Sequence, residues 1–298
     1  MSDQPGEDRE PDPLRRLLDL LDLEQIEKDR FRGINPEIRF ASRVFGGQVA
    51  AQALRAAAHT VEVEHSVHSL HSYFLRPGVP GIPIEYEVDR IRDGRSFTTR
   101  LVVAHQGEEA IFNLSASFHR REAGVDYQAP IAPDAPGPDD ASVQLGLPFP
   151  VVREQMPVEL RELGTTEPDD GGFYRSTRRA WIRTRGVLPD DAVLHACVIA
   201  FISDMGAVMG ARAPLPEQPW NRLMGASLDH ALWFHRPVRA DEWLLYDLQA
   251  VSNYGARGFT RGTLHTQDGV LGASVSQEAL LRVVPPERAS LPVEPPSK

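Results

Sequence analysis

Ser-Leu-His-Ser-Tyr-Phe-Leu-Arg-Pro at residues 69–77 and Ser-Leu-Asp-His-Ala-Leu-Trp-Phe-His-Arg-Pro at residues 227–237 are two versions of one segment. Both begin with Ser-Leu, carry aromatic residues and end in Arg-Pro. The Arg-Pro pairs begin at residues 76 and 236, so the two versions lie 160 positions apart. A recurrence over this distance suggests that more than one segment has been copied.

Two further matches follow in the same order at nearly the same offset. Arg-Ser-Phe-Thr at 95–98 corresponds to Arg-Gly-Phe-Thr at 257–260, and Ser-Ala-Ser at 115–117 corresponds to Ser-Val-Ser at 274–276. Three ordered matches at a near-constant offset are hard to obtain by chance. The sequence therefore indicates an internal duplication.

Each copy predicts a helix followed by antiparallel strands. The helices are expected at 48–59 and 191–209, and turns such as Asp93-Gly94 separate the apolar runs that follow. A central helix wrapped by an antiparallel sheet, present twice, predicts an α+β double hotdog, a pseudo-dimer of two tandem units. The predicted strands are 84–88, 97–105, 110–118, 243–251, 259–266 and 270–283, with short strands near 31–33 and 173–184.

The predicted organisation has five parts. Leucines at 14, 17, 18 and 21 fall at helical spacing, and eight prolines between 130 and 168 are typical of a linker. A short helix is expected within that linker near 159–163. The parts are an acidic tail at 1–12, an N-terminal hotdog at 13–122, a proline-rich linker at 123–171, a C-terminal hotdog at 172–285 and a tail at 286–298.

Composition restricts the kind of partner and the compartment. A net charge of −10 and a pI near 5.5 argue against nucleic acid as the main partner. The single cysteine, Cys197, cannot form an internal disulfide or a multi-cysteine zinc site. No apolar run approaches the roughly 18 residues that a membrane span needs. We therefore expect a cytoplasmic protein with no membrane insertion.

From about residue 14 to residue 283 the chain resembles the bacterial type II acyl-CoA thioesterases. The resemblance implies a double hotdog fold, hydrolysis of fatty acyl-CoA thioesters of broad, medium to long chain length, no cofactor and no metal. It also implies assembly of double-hotdog units into homo-oligomers. The most specific stretches are Val-Phe-Gly-Gly-Gln at 44–48, residues 67–77, 229–237, Glu-Trp-Leu-Leu-Tyr at 242–246, 256–262 and Thr-Gln-Asp-Gly-Val at 266–270.

The same resemblance implies three catalytic residues, Asp204, Ser227 and Gln277. Ser227 stands where the family usually has threonine, so the hydroxyl is kept and the methyl that restricts its rotamers is lost. A thiol leaving group with a pKa of about 8.5 needs no strong acid, but water must be activated and held in line. We expect Asp204 to accept a proton from water that Ser227 and Gln277 orient.

The first copy lacks these groups. In the sequence alignment Val67 matches Ser227 and Phe118 matches Gln277, and neither side chain positions water. We therefore expect one catalytic site in each pseudo-dimer.

Supporting roles are predicted for residues of the first copy. Gly47 and Gln48 open its helix, and their free N–H groups are candidates for binding the oxyanion, although paired glycines also serve close packing. His68 is a candidate support residue, although a lone strand histidine is more often structural.

Arginine suits phosphate geometry, and the candidates for the phosphates of coenzyme A are Arg76, Arg95, Arg236, Arg257 and Arg261. For each of them an ordinary surface role is an equal alternative.

Two rival functions stay open at this point. A hotdog enoyl-CoA hydratase uses an Asp–His pair five residues apart, but Met209 occupies the position five residues after Asp204. A non-catalytic acyl-CoA-binding protein is the second rival, because serine replaces the family's threonine.

Overall fold

The computed structural model describes residues 12–37, 42–129, 134–140, 144–145, 156–164, 166, 176–215 and 223–284. Within this part of the chain four helices lie against a sheet of fourteen strands. The helices are α1 (Pro13–Leu21), α2 (Gly46–Ala58), α3 (Ala192–Ser203) and α4 (Ala207–Arg212). The predicted tail at 286–298, and all but the last residue of the tail at 1–12, lie outside the described residues.

The strands of the first half are β1 (Glu24–Glu27), β2 (Arg30–Gly33), β3 (His65–Phe74), β4 (Ile84–Asp93), β5 (Phe97–Gln106) and β6 (Glu109–Arg120). The connecting region and the second half contribute β7 (Gln144–Leu145), β8 (Val158–Gly164), β9 (Arg178–Thr184), β10 (Leu223–Ser227), β11 (Asp229–Phe234), β12 (Leu244–Tyr254), β13 (Arg257–Thr266) and β14 (Leu271–Val283).

The two copies form one continuous antiparallel sheet. Its order is β1-β2-β4-β5-β6-β3-β11-β14-β13-β12-β9-β8-β7, and β10 also pairs with β14. The copies join where β3 pairs with β11, and the buried Leu70 and Leu232 lie opposite each other there. Because each half places its helix on its own strands, the predicted α+β double hotdog is confirmed.

The central helices differ in how they are stabilised. Helix α2 is rich in alanine, and α3 is apolar on nearly every face because it is enclosed by protein. Asp191 caps α3 by accepting from the N–H groups of Val193 and Leu194, whereas Phe45 at the start of α2 provides no side-chain cap. The N-terminus of α2 is therefore left open to another partner.

The second predicted helix, 191–209, is wrong as one continuous element. It breaks after Ser203, and α4 begins only at Ala207. Gly206 has φ +90°, a left-handed conformation that glycine adopts without strain. A Cβ atom there would lie 1.0 Å from Nη1 of Arg178, which donates to the carbonyl of Met205. The guanidinium of Arg178 thus occupies the space where the helix ends.

The short helix expected near 159–163 is also wrong, because this segment forms β8. Val158 and Leu160 are buried in alternation with less buried residues, which is the two-residue period of a strand. Strand β8 pairs with β9 and therefore extends the second sheet into the range 123–171 that the sequence analysis assigns to a linker.

Among the described residues, one segment, Ala192–Arg212, is long and apolar enough for a membrane span, and an 18-residue window of it has a mean hydropathy of 1.9. In this protein 61% of that window is buried, since the segment forms helices α3 and α4 of the second hotdog. Burial in the core accounts for its composition.

Gly47 holds the two central helices at close range. A Cβ atom at this position would lie 2.3 Å from the carbonyl oxygen of Phe201, which is backbone and cannot move aside. We expect Gly47→Ala to lower the free energy of unfolding by about 1–3 kcal/mol through overpacking. Urea denaturation measures this loss. Gly124→Ala is the control, because nothing lies within 4 Å of its added Cβ, and equal behaviour of the two variants would contradict the packing role.

Candidate functional site

Asp204 lies at the C-terminal end of α3 and faces the open N-terminus of α2. Its side chain is buried, and a Cβ atom at Gly46 would lie 2.8 Å from its Oδ2. The N–H of Gly47 donates a hydrogen bond to the same carboxylate. The carboxylate therefore takes the place of the missing side-chain cap and interacts with the positive end of the helix dipole.

Ser227 and Gln277 meet Asp204 from the sheet. Ser227 ends β10, and Gln277 lies on β14, which pairs with β10. Nε2 of Gln277 donates to Oγ of Ser227 at 2.8 Å, and that Oγ lies 3.5 Å from Oδ1 of Asp204. The structure thus brings the three residues together at one point, although they are far apart in the chain.

His230 supports this cluster from behind through contacts of both ring nitrogens. Its Nδ1 lies 2.7 Å from Oε1 of Gln277, and its Nε2 lies 2.8 Å from Oγ of Ser203. Burial lowers the pKa of His230 to about 4, so the ring is neutral at pH 7. A neutral ring can donate from Nδ1 to Oε1 of Gln277, and this bond turns the amide nitrogen of Gln277 towards Ser227.

Ser203 is held in turn by Tyr246, whose hydroxyl donates to the Ser203 carbonyl. Burial, followed by the negative charge of Asp204, raises the pKa of Tyr246. No spacing motif marks Ser203, His230 and Tyr246, because they lie on three separate elements. They come together through the hydrogen-bonded pairing of the strands and the packing of the helices.

Burial raises the pKa of Asp204 to about 7. Hydrogen bonds from Gln277, from the N–H of Gly47 and from Ser227 oppose this shift because they stabilise the charged form. A carboxylate with a pKa near neutrality is well matched to proton transfer at physiological pH. The site therefore combines one titrating base with neutral donors.

The predicted oxyanion donors are occupied in this structure. The N–H of Gly47 is directed to Asp204, and the N–H of Gln48 donates to the carbonyl of Phe45 at 3.1 Å. The Gln48 side chain donates to Asn35 at 3.3 Å. Oxyanion binding by Gly47 and Gln48 stays a prediction, and substitution of Gly47 cannot test it cleanly because of the contact with Phe201.

His68 lies away from this cluster. Its Nε2 lies 2.8 Å from Oγ of Ser117, and its ring packs edge-on against Phe97. It lines a cavity at the opposite end of the helix pair. The structure therefore does not bring His68 together with Asp204.

The five candidate arginines are not gathered in one place. Arg95 lines a cleft beside β6, whereas Arg236 is paired with Asp126 at 2.5 Å and lines the larger cavity. The other three contact local partners: Arg76 the carbonyl of Ala110, Arg257 the carboxylate of Glu278 and Arg261 the amide of Gln249. Their roles towards phosphate stay predictions.

The register of the paired strands corrects the sequence alignment of the two copies by two positions. Val67 pairs with Phe118, and Ser227 pairs with Ala279. If Val67 matches Ser227, then Phe118 matches Ala279, and the residue that matches Gln277 is Ala116. Ala116 is buried and apolar like Phe118, so the inference that the first copy lacks water-positioning groups is unaffected.

Among the described residues, no group of three or more His, Cys, Asp or Glu side chains is placed to hold a metal ion. Cys197 is buried in α3, and burial raises the pKa of its thiol to about 12. Such a thiol is not a nucleophile at neutral pH.

Comparison with known proteins gives the same family for both halves of the chain. Residues 153–280 match the family described as acyl-CoA thioesterase, and residues 35–119 match the acyl-CoA thioesterase N-terminal domain. Human acyl-coenzyme A thioesterase 8 is 36% identical over 92% of this chain and 92% of its own length. Acyl-CoA thioesterase 2 of Haemophilus influenzae is 34% identical over 91% of this chain and 98% of its own.

A solved structure agrees with these sequence matches. The acyl-CoA thioesterase II TesB2 of Mycobacterium marinum superposes with a TM-score of 0.79 at 40% identity, covering 91% of this chain and 98% of its own. The sequence and structure matches each cover more than nine-tenths of this chain. The chain belongs to the acyl-CoA thioesterase family.

Proposed function

We propose that this acyl-CoA thioesterase hydrolyses fatty acyl-CoA thioesters with a water molecule held by Asp204, Ser227 and Gln277. The observation that carries the proposal is the convergence of these three side chains beside the N-terminus of α2. Asp204 is the only one of the three that titrates near neutral pH. The products are a free fatty acid and coenzyme A.

The roles follow from donors and acceptors. Ionised Asp204 accepts a proton from the water as the water oxygen attacks the thioester carbonyl carbon. Ser227 and Gln277 fix the remaining hydrogen bonds of the water and so align its lone pair. The carbon–sulfur bond then breaks, and the proton held by Asp204 passes to the thiolate of coenzyme A. Atoms balance with one water consumed for each thioester.

The hydratase alternative is disfavoured by the contacts of His230. That mechanism needs an Asp–His pair, but the His230 ring contacts Gln277 and Ser203 instead of Asp204. Met209, five residues after Asp204, lies on α4. Among the described residues, Asp204 therefore has no histidine partner.

We also propose a preference for medium to long acyl chains, assembly into homo-oligomers and a cytoplasmic location. Support for assembly comes from large apolar side chains that are exposed near the turn between β3 and β4, namely Tyr73, Leu75, Val79 and Ile82. A group of exposed apolar residues is typical of a contact surface. The single reduced and buried cysteine is compatible with the cytoplasm.

Thiol release from a series of acyl-CoA esters tests the role of Asp204. Because only the carboxylate form accepts a proton, turnover should rise with pH through about 7 and then level off. Asp204→Asn should reduce turnover by about 10²–10⁴-fold and abolish this pH-dependent rise. Equal rates in the two proteins at pH 8 would remove the proposed base.

Ser227 allows a graded test of water positioning. Ser227→Ala removes a hydrogen bond that involves a charged group, worth about 1.5–3 kcal/mol, so turnover should fall roughly 10- to 100-fold. Ser227→Thr keeps the hydroxyl and restricts its rotamers, so its turnover should equal or exceed the wild-type value. If threonine were as damaging as alanine, the hydroxyl would not be the feature that matters.

His230 is proposed as a positioning residue that acts through Gln277. The matching position in the first copy, 160 residues earlier, is the buried Leu70. His230→Leu therefore introduces a side chain that the first copy already accommodates at the equivalent position. We expect kcat to fall by up to about 100-fold, with KM little changed, because Gln277 loses the bond that orients its amide.

The control for His230 is His71→Leu, since His71 lies on the neighbouring strand β3, is exposed and contacts Trp233 only edge-on. Its kcat should match the wild type. His230→Asn keeps an N–H donor and should recover part of the lost rate, whereas equal loss with Asn and Leu would point to packing alone.

A further inference from the structure

A cavity of about 860 Å³ lies at the end of the helix pair opposite to Asp204. It is bounded by the second half of α2 and the first half of α3, together with residues of β3, β6 and β11. Its lining is mixed, and the apolar members include Leu54, Ala58, Val67, Phe118, Val193 and Phe234.

This cavity is the counterpart of the catalytic site in the duplicated fold. Phe74 and Phe234 are 160 residues apart, as are Val67 and Ser227. The Phe74 ring lies against the N-terminus of α2, where a Cβ atom at Gly46 would be 2.7 Å from its Cε1. Phe234 lines the cavity beside the N-terminal half of α3 in the same way. The duplication has therefore placed matching residues at the two ends of the helix pair.

The groups that activate water are missing from the second space. His59, at the C-terminal end of α2 where α3 has Asp204, stacks on Phe31. Asp191 caps its own helix and pairs with Arg55 at 3.2 Å, so the N-terminus of α3 is already closed. With Val67 and Ala116 in place of Ser227 and Gln277, the described residues hold no counterpart here of the three side chains that converge at Asp204.

The cavity opens next to a basic cleft. This cleft, of about 450 Å³, is lined by Arg95, Arg120 and Arg121, and it shares Arg121 and Glu122 with the cavity. The three guanidinium groups make no ion pair with any other side chain in the described ranges. Glu122 contacts His119 at 3.1 Å, and Asp190 on the cavity wall contacts Arg239.

We propose that this cavity is a second, non-hydrolytic site for acyl-CoA. The acyl chain lies along the apolar side chains of the cavity, and the phosphates occupy the cleft formed by Arg95, Arg120 and Arg121. The proposal takes its ligand class from the proposed function of the other site, but it requires no hydrolysis. A ligand with an apolar chain and several phosphates matches the two adjoining surfaces.

The test is the number of ligands bound by each chain. The probe is the hexadecyl thioether of coenzyme A, which has no carbonyl to hydrolyse, measured by equilibrium dialysis at submicellar concentration on the full chain. We expect two probe molecules for each wild-type chain. Val193→Trp, which narrows the cavity beside α3, and Arg121→Glu, which reverses a charge in the cleft, should each reduce the number to one.

Arg15→Glu on the exposed face of α1 is the matched charge control and should still bind two. Arg121 is exposed, so its variant decides the result even if Val193→Trp fails to fold. One probe for each wild-type chain, or two that survive both substitutions, would overturn the proposal.

Thiol release measured on the same proteins separates the two hypotheses. Val193→Trp and Arg121→Glu should retain wild-type turnover, because both lie at the far end of the helix pair from Asp204. Two bound probes in a protein that releases no thiol would refute the proposed mechanism and leave the second site standing. If either variant loses hydrolysis together with binding of the second probe molecule, the two ends form one site. That result would overturn the separate site.

Discussion

The close approach of α2 and α3 at Gly47 is the constraint on which the site depends. Because Gly47 has no side chain, the carbonyl of Phe201 lies where a Cβ atom would be. This approach brings the carboxylate at the end of α3 to the uncapped start of α2, where the N–H of Gly47 meets it. A larger separation would leave both the helix terminus and Asp204 without their partner.

The energetic difficulty of the site is the burial of a carboxylate without an opposing cation. Its contacts are hydrogen bonds from an amide, a hydroxyl and a backbone N–H, which stabilise its charge only in part. Burial therefore dominates, and the pKa rises to about 7. An arginine at the same place would stabilise the fold more and would lower the pKa, so that the carboxylate would be a weaker base.

Neutrality of the surrounding groups is part of the same arrangement. Burial keeps the imidazole of His230 uncharged, with a pKa of about 4, and keeps the phenol of Tyr246 protonated. A positive charge on His230 would lie one amide away from Asp204 and would lower the carboxylate's pKa. His230 therefore orients Gln277 without changing the charge of the site.

The sequence predicts the architecture well because the duplication presents the same pattern of helix, strands and turns twice. Most strands of the two copies, the first helix and the hotdog organisation follow from alternation, turns and the repeated Arg-Pro segment. The three proposed catalytic residues follow from family resemblance, since no spacing rule relates Asp204 to Gln277. The hydrogen-bond partners of His230 could not be predicted in this way, because they depend on which strand lies beside β14.

The errors have one physical origin, which is that local pattern does not report long-range contacts. Residues 191–209 have helical composition throughout, yet the helix ends at Ser203 because the Arg178 guanidinium fills the space at Gly206 and bonds to Met205. Arg178 is itself paired with Glu162 on β8. This strand lies in the range that the proline content predicts to be a linker. The guanidinium of Arg178 therefore connects Glu162, in the predicted linker, with Gly206, in the predicted continuous helix. Through it the connecting region fixes where α3 stops, and so fixes the position of Asp204.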